Sequence, residues 1–92
     1  MFRVYGENNN PLGQSWTDVD PGTVEDFRDV AGLPDVNTGR FVIEGTLNSV
    51  EGVTTRSALP LDGNVGGLNE ILIPNAAQQV TITRVSGVNP EL

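Results

Sequence analysis

Cysteine, histidine and lysine are all absent from this chain of 92 residues. Each absence closes a branch of chemistry. Without cysteine there are no disulfides, no thiolate metal sites and no thiol nucleophile. Without histidine there is no Ser-His-Asp triad, no imidazole base and almost no route to a zinc site built from side chains. All five bases are arginines, set against twelve acids, for a net charge of −7. That sign opposes steering onto a phosphate backbone. The missing lysine fits a genome rich in arginine codons, or selection against lysine as a modification site in a delivered protein. No apolar run approaches the ~20 residues that span a bilayer, and no basic-then-apolar leader opens the chain, so no membrane partner is expected. Carboxylates, hydroxyls, amides and guanidinium groups remain to carry any reaction.

The length allows one small domain, residues 1–92, with a core that lacks covalent or metal staples. Alternation predicts strands at Phe2–Tyr5, Gln14–Thr17, Arg40–Leu47, Val53–Ala58, Ile71–Ile73 and Gln79–Val85. One helix is expected after Asp20-Pro21, with Asp20 as cap, Pro21 in the first turn and an apolar stripe at Val24, Phe27, Val30 and Ala31. Gly32 and Pro34 would end it. Turn formers crowd Gly6–Gly13 and Pro60–Gly67, and the second stretch reads as the most flexible part of the chain. The class is α+β, strand-rich with one clear helix.

Three short elements carry chemistry. Arg3 stands in the first strand; Ser15 and Thr17, two apart, point to one side of a strand while Trp16 points to the other. Glu70 sits where the loop Gly66-Gly67-Leu68-Asn69 gives way to the apolar run Ile71-Leu72-Ile73-Pro74. A strand end fixes a carboxylate more rigidly than a loop does. Glu44, midway along Phe41–Leu47, is expected to pair with Arg56 or Arg84 as a structural contact. Gly63-Asn64-Val65-Gly66-Gly67 lacks the Lys-Ser/Thr of a phosphate-binding loop, and the acids Asp18, Asp20, Glu25, Asp26 and Asp29 lack the spacing of a calcium loop.

Taken in order, Arg3, then Ser15-x-Thr17, then Glu70 before a strand ending in proline resembles the mono-ADP-ribosyltransferase toxins of the arginine–serine–glutamate branch. The other main branch uses a histidine in the first strand, and this chain has none. The resemblance implies a split, bent sheet with a nicotinamide–ribose cleft, and NAD as substrate. It implies that Arg3 binds NAD, that Ser15 and Thr17 line the nicotinamide side and that Glu70 promotes bond cleavage. The loop Pro60–Asn69, with Asn64, Leu68 and Asn69, would meet the acceptor. It further implies the catalytic tip of a modular, polymorphic bacterial toxin, a delivered effector acting in the target-cell cytoplasm and guarded by a cognate immunity protein. The acidic balance tilts the macromolecular acceptor towards protein over RNA. Many arginine-modifying relatives carry Glu or Gln two residues before the catalytic glutamate, where this chain has Leu68. Two alternatives stay open: a NAD glycohydrolase that lets water attack, and a non-catalytic acidic β-rich binding module.

Overall fold

The computed structural model describes residues 1–92 as two antiparallel three-stranded sheets with two short helices, an α+β domain. The first sheet has the order β1-β3-β6, built from β1 (Phe2–Tyr5), β3 (Phe41–Leu47) and β6 (Val80–Gly87). The second has the order β2-β5-β4, from β2 (Ser15–Trp16), β5 (Asn69–Leu72) and β4 (Thr54–Ser57). The sheets meet at one bridge, where Phe2 and Thr17 exchange backbone hydrogen bonds of 2.7 and 2.8 Å. No helix is long and apolar enough to cross a membrane.

Alternation accounts for the strands. Along β1 only Val4 is buried, and along β3 Ile43 is, because successive side chains leave opposite faces. The core gathers Trp16, Ile43, Ile73, Ala76 and Val80, with Met1, Tyr5, Leu12, Leu47, Val53 and Ile71 around it. Burial of this apolar set is the main term holding an unstapled domain together. Gly45 marks a register shift in β3, and a Cβ there would meet the Val80 side chain at 2.6 Å.

The expected single helix is broken. A 3₁₀ turn at Pro21–Thr23 is capped by Asp20, whose carboxylate accepts from the Gly22 amide, as expected. The chain then extends at Val24, turns left-handed at Asp26 (φ 52°) and enters α1 (Phe27–Ala31). Pro21 and Phe27 are both buried. Six positions apart on a continuous helix they would face directions roughly 120° apart, the edge of a single apolar stripe, and the break lets both turn inward. Gly32 ends α1 in the left-handed conformation, its amide returning to Arg28 and Asp29 carbonyls. A second helix, α2 (Ala76–Gln79), lies outside the sequence expectation. Gln79 organises it, accepting from the Asn75 amide and donating to the Ser49 and Glu51 carbonyls.

The stretch Pro60–Gly67 is tied down rather than loose. Val65 and Gly66 amides donate to the Asp29 side chain and carbonyl, Gly67 donates to Ala58, and the Asn64 side chain donates to the Leu33 carbonyl. Asp62 accepts from the Asp35 amide. Dense turn residues here encode a specific anchored path.

Candidate functional site

A cavity of about 270 Å³ opens along the seam between the two sheets. Its lining includes Arg3, Ser15, Thr17, Leu68, Asn69 and Glu70. Six of the seven residues singled out in the sequence therefore share one hollow. Asn64 does not line it; the short Asn64 side chain is engaged with the Leu33 carbonyl at 2.8 Å and builds the loop instead.

Glu70 is gripped from both neighbouring strands. Its strand, β5, lies between β2 and β4. From β2, the Ser15 hydroxyl donates to Glu70 Oε2. From β4, Arg56 stands directly opposite in the antiparallel register and donates Nε to Glu70 Oε1 at 2.6 Å. The Glu70 side chain is 12 % exposed and that of Arg56 45 %. Arg56 thus pairs with Glu70 and not, as the sequence suggested, with Glu44, which forms no ion pair with Arg84 either. Ionised carboxylate oxygens offer about four lone-pair directions, so two accepted bonds leave room for a ligand hydroxyl.

Arg3 is a cation without a counter-anion. Its Nε donates to the Pro11 carbonyl at 3.0 Å, Nη1 to Ser15 at 3.0 Å and Nη2 to Asn10 at 2.6 Å. Burial holds its pKa below the ordinary guanidinium value, and it remains protonated in any working range. Three of five N–H groups are used, which leaves two for a ligand. A partly desolvated charge is normally paired. The two free donors beside a cavity are therefore a receptive place for an oxyanion. Ser15 links the two charged groups, its carbonyl accepting from Arg3 and its hydroxyl donating to Glu70.

Thr17 behaves differently from Ser15. Its hydroxyl donates to the Asn69 carbonyl at 2.8 Å and accepts from the Val19 amide at 3.2 Å, inside a residue only 5 % exposed. That hydroxyl proton is spent on pinning β2 to β5, so Thr17 shapes the site without a donor to offer. Asn69 donates its side-chain amide to Asp18 at 3.0 Å. Phe27, Ala31, Leu33 and Leu61 give the cavity an apolar wall.

Sequence reasoning missed Arg56 as a site residue. Its only signal was the presence of an arginine in a predicted strand; the cross-strand register with Glu70 appears once the fold is known. Comparison with family models, curated proteins and solved structures finds no match.

Proposed function

We propose that this chain is an NAD-dependent mono-ADP-ribosyltransferase toxin domain of the arginine–serine–glutamate kind. The observation that carries the reading is the Arg3–Ser15–Glu70 relay on one cavity, a guanidinium with two free donors and a fixed carboxylate joined through a single serine. The two-sheet architecture meeting at one bridge supports the split-sheet fold expected of that group.

The chemistry follows from the groups. Heterolysis of the nicotinamide–ribose bond creates an oxocarbenium-like cation and releases neutral nicotinamide. Glu70 stabilises that developing charge and accepts from the ribose 2′-hydroxyl, an electrostatic effect that counts because it grows in the transition state. Arg3 offers its free N–H pair to phosphate oxygens with bidentate geometry that lysine could not supply. The apolar wall suits a flat heterocycle. The cavity, about 270 Å³, lies just below the usual ligand-pocket range of about 300 Å³ upward, which suits a part of NAD, the nicotinamide–ribose half, with the adenosine half outside.

Hydrolysis of NAD is the second reading, and Leu68 favours it. This half-buried apolar side chain lines the cavity two residues before Glu70, so no side chain there activates a macromolecular nucleophile. For transfer, an acidic surface favours a protein acceptor with basic character, and the same surface suits a basic immunity protein.

Both readings are tested together. The purified domain with NAD is assayed for nicotinamide release, with and without cell extract. Release that depends on extract, with label appearing on a macromolecule, is transfer; release without extract is hydrolysis. Glu70→Gln keeps volume and the Ser15 contact but removes the charge. Loss of turnover by roughly 10²–10³-fold is expected, with stability changed by less than about 1 kcal/mol because the Arg56 partner is half exposed. Glu44→Gln serves as control, since Glu44 lies on β3 beside a different hollow with Asp20 and Arg84. Activity surviving Glu70→Gln but lost in Glu44→Gln assigns the wrong carboxylate, and a folded domain that releases no nicotinamide leaves the binding-module alternative.

A further inference from the structure

We infer that Arg56 is a positioning residue for Glu70, the β4 half of a two-sided grip whose β2 half is Ser15. The inference rests on the transferase reading above and adds a residue to it.

The sheet order makes the grip possible. β5 is central, so each carboxylate oxygen of Glu70 can be met from a different neighbour. Arg56 is the direct cross-strand partner of Glu70, and directly opposed side chains emerge on one face of an antiparallel pair. Ser15 is opposite Leu72 and reaches Glu70 diagonally. One donor per oxygen fixes both the direction and the rotation of the carboxylate. A single donor would leave it free to swing about that bond.

Arg56 is not among the cavity residues, so it acts on Glu70 and not on the bound molecule. Nor does the pair chiefly serve the fold. With the Arg56 side chain 45 % exposed, such an ion pair adds little to stability. Orientation is what remains for Arg56 to provide, and small misplacements of a reacting group carry large rate penalties.

Nicotinamide release by the purified domain in the presence of cell extract is followed at varied NAD for wild type, Arg56→Ala, Arg56→Lys, Ser15→Ala, the Ser15→Ala/Arg56→Ala double variant and Arg84→Ala. Arg84 lies on β6 outside the cavity and controls for loss of one positive charge. Arg56→Ala is expected to lower kcat roughly 10- to 100-fold with KM for NAD unchanged and only a small fall in the urea midpoint, since Glu70, 12 % exposed, keeps its Ser15 donor. Arg56→Lys should recover part of kcat. The double variant should lose less than the product of the two single losses, because removing either donor already frees the carboxylate to swing. Arg56→Ala with wild-type kcat, a raised KM at constant kcat, or losses that simply multiply would each overturn the grip. If Arg56→Ala does not fold, Arg56→Gln and Arg56→Lys carry the same comparison. An active wild type with an indifferent Arg56 removes the grip alone, whereas a folded but inactive wild type removes the transferase reading and the grip with it.

Discussion

Gly13→Ala should uncouple Arg3 from the site while the domain still folds. A Cβ at Gly13 would lie 2.4 Å from Arg3 Nη2 and 2.8 Å from its Cζ. The backbone there cannot retreat easily. The Gly13 carbonyl accepts from Trp16 Nε1 at 2.9 Å, and the Gln14 carbonyl accepts from the Ile73 amide at 2.9 Å. Trp16 and Ile73 are both core residues. The guanidinium must therefore move, giving up its bonds to Asn10, Pro11 and Ser15. Each such charged-donor bond is worth about 1.5–3 kcal/mol net. The whole sum is not lost, because the freed group regains water and sheds the desolvation that depresses its pKa. Alanine also stiffens the unfolded chain by about 0.4–1 kcal/mol. A net loss of about 1–3 kcal/mol follows, or a fall in Tm of roughly 5–20 °C for a domain of this size. Scanning calorimetry reads the fold, and under the proposed function titration with NAD reads the site, where affinity should drop by roughly tenfold or more for a lost charged contact. Arg3→Ala/Gly13→Ala should be no worse than Arg3→Ala, since the clash has no partner left. Wild-type melting and NAD affinity in Gly13→Ala, or a double variant equal to the sum of the singles, would refute the argument.

Two stability predictions follow from the same geometry. Gly66 has φ 71°, and a Cβ there would sit 2.3 Å from the Ala58 carbonyl oxygen and 2.9 Å from that of Leu59, whereas Gly63, at φ 83°, has nothing within 4 Å. Urea denaturation should give about 1–2 kcal/mol for Gly63→Ala, the left-handed strain alone, and more than about 3 kcal/mol for Gly66→Ala once backbone overlap is added; equal losses would mean the loop is not seated as described. The pH dependence has a definite sign. Burial lowers the Arg3 pKa, so the folded state holds that proton less tightly than the unfolded chain, and the penalty is relieved only as pH rises through the guanidinium range. Because that range is far above neutral and the chain has no histidine, the urea midpoint should stay constant from about pH 6 to 7, below the range of α-amino groups; a drift in that window would count against it.

The strands were legible because period-two alternation survives in even a small sheet: Phe2–Tyr5 and the core of Phe41–Leu47 stand within one residue of expectation. The caps at Asp20 and Gly32 were legible because both act locally. The helix between them was not. Five residues of α1 are too few to hold a helix by propensity, so burial of Pro21 and Phe27 decided the path. Arg3, Ser15 and Glu70 could be lined up by order and spacing. Arg56 could not, because the eleven residues Ala58–Leu68 separate β4 from β5 and leave their register open. Thr17 shows the converse limit: two hydroxyls spaced to face one side were predicted to do one job, yet backbone neighbours claimed one of them.

The site lies across the two sheets. Arg3 belongs to the first sheet, while Ser15 and Glu70 belong to the second, and beside the cavity the sheets are joined by the Phe2–Thr17 bridge and the bond from Arg3 to the Ser15 carbonyl. A ligand that meets Arg3 with an anion and Glu70 with a hydroxyl therefore cross-links two bodies, and it does so with groups already held by their own sheets. Preorganisation then resides in the sheets, through the loop carbonyls around Arg3 and the strands flanking Glu70, and the ligand supplies only the closure between them. An unstapled domain of 92 residues can build a charged site in this way because each charged group is fixed locally, by hydrogen bonds that need no large core behind them.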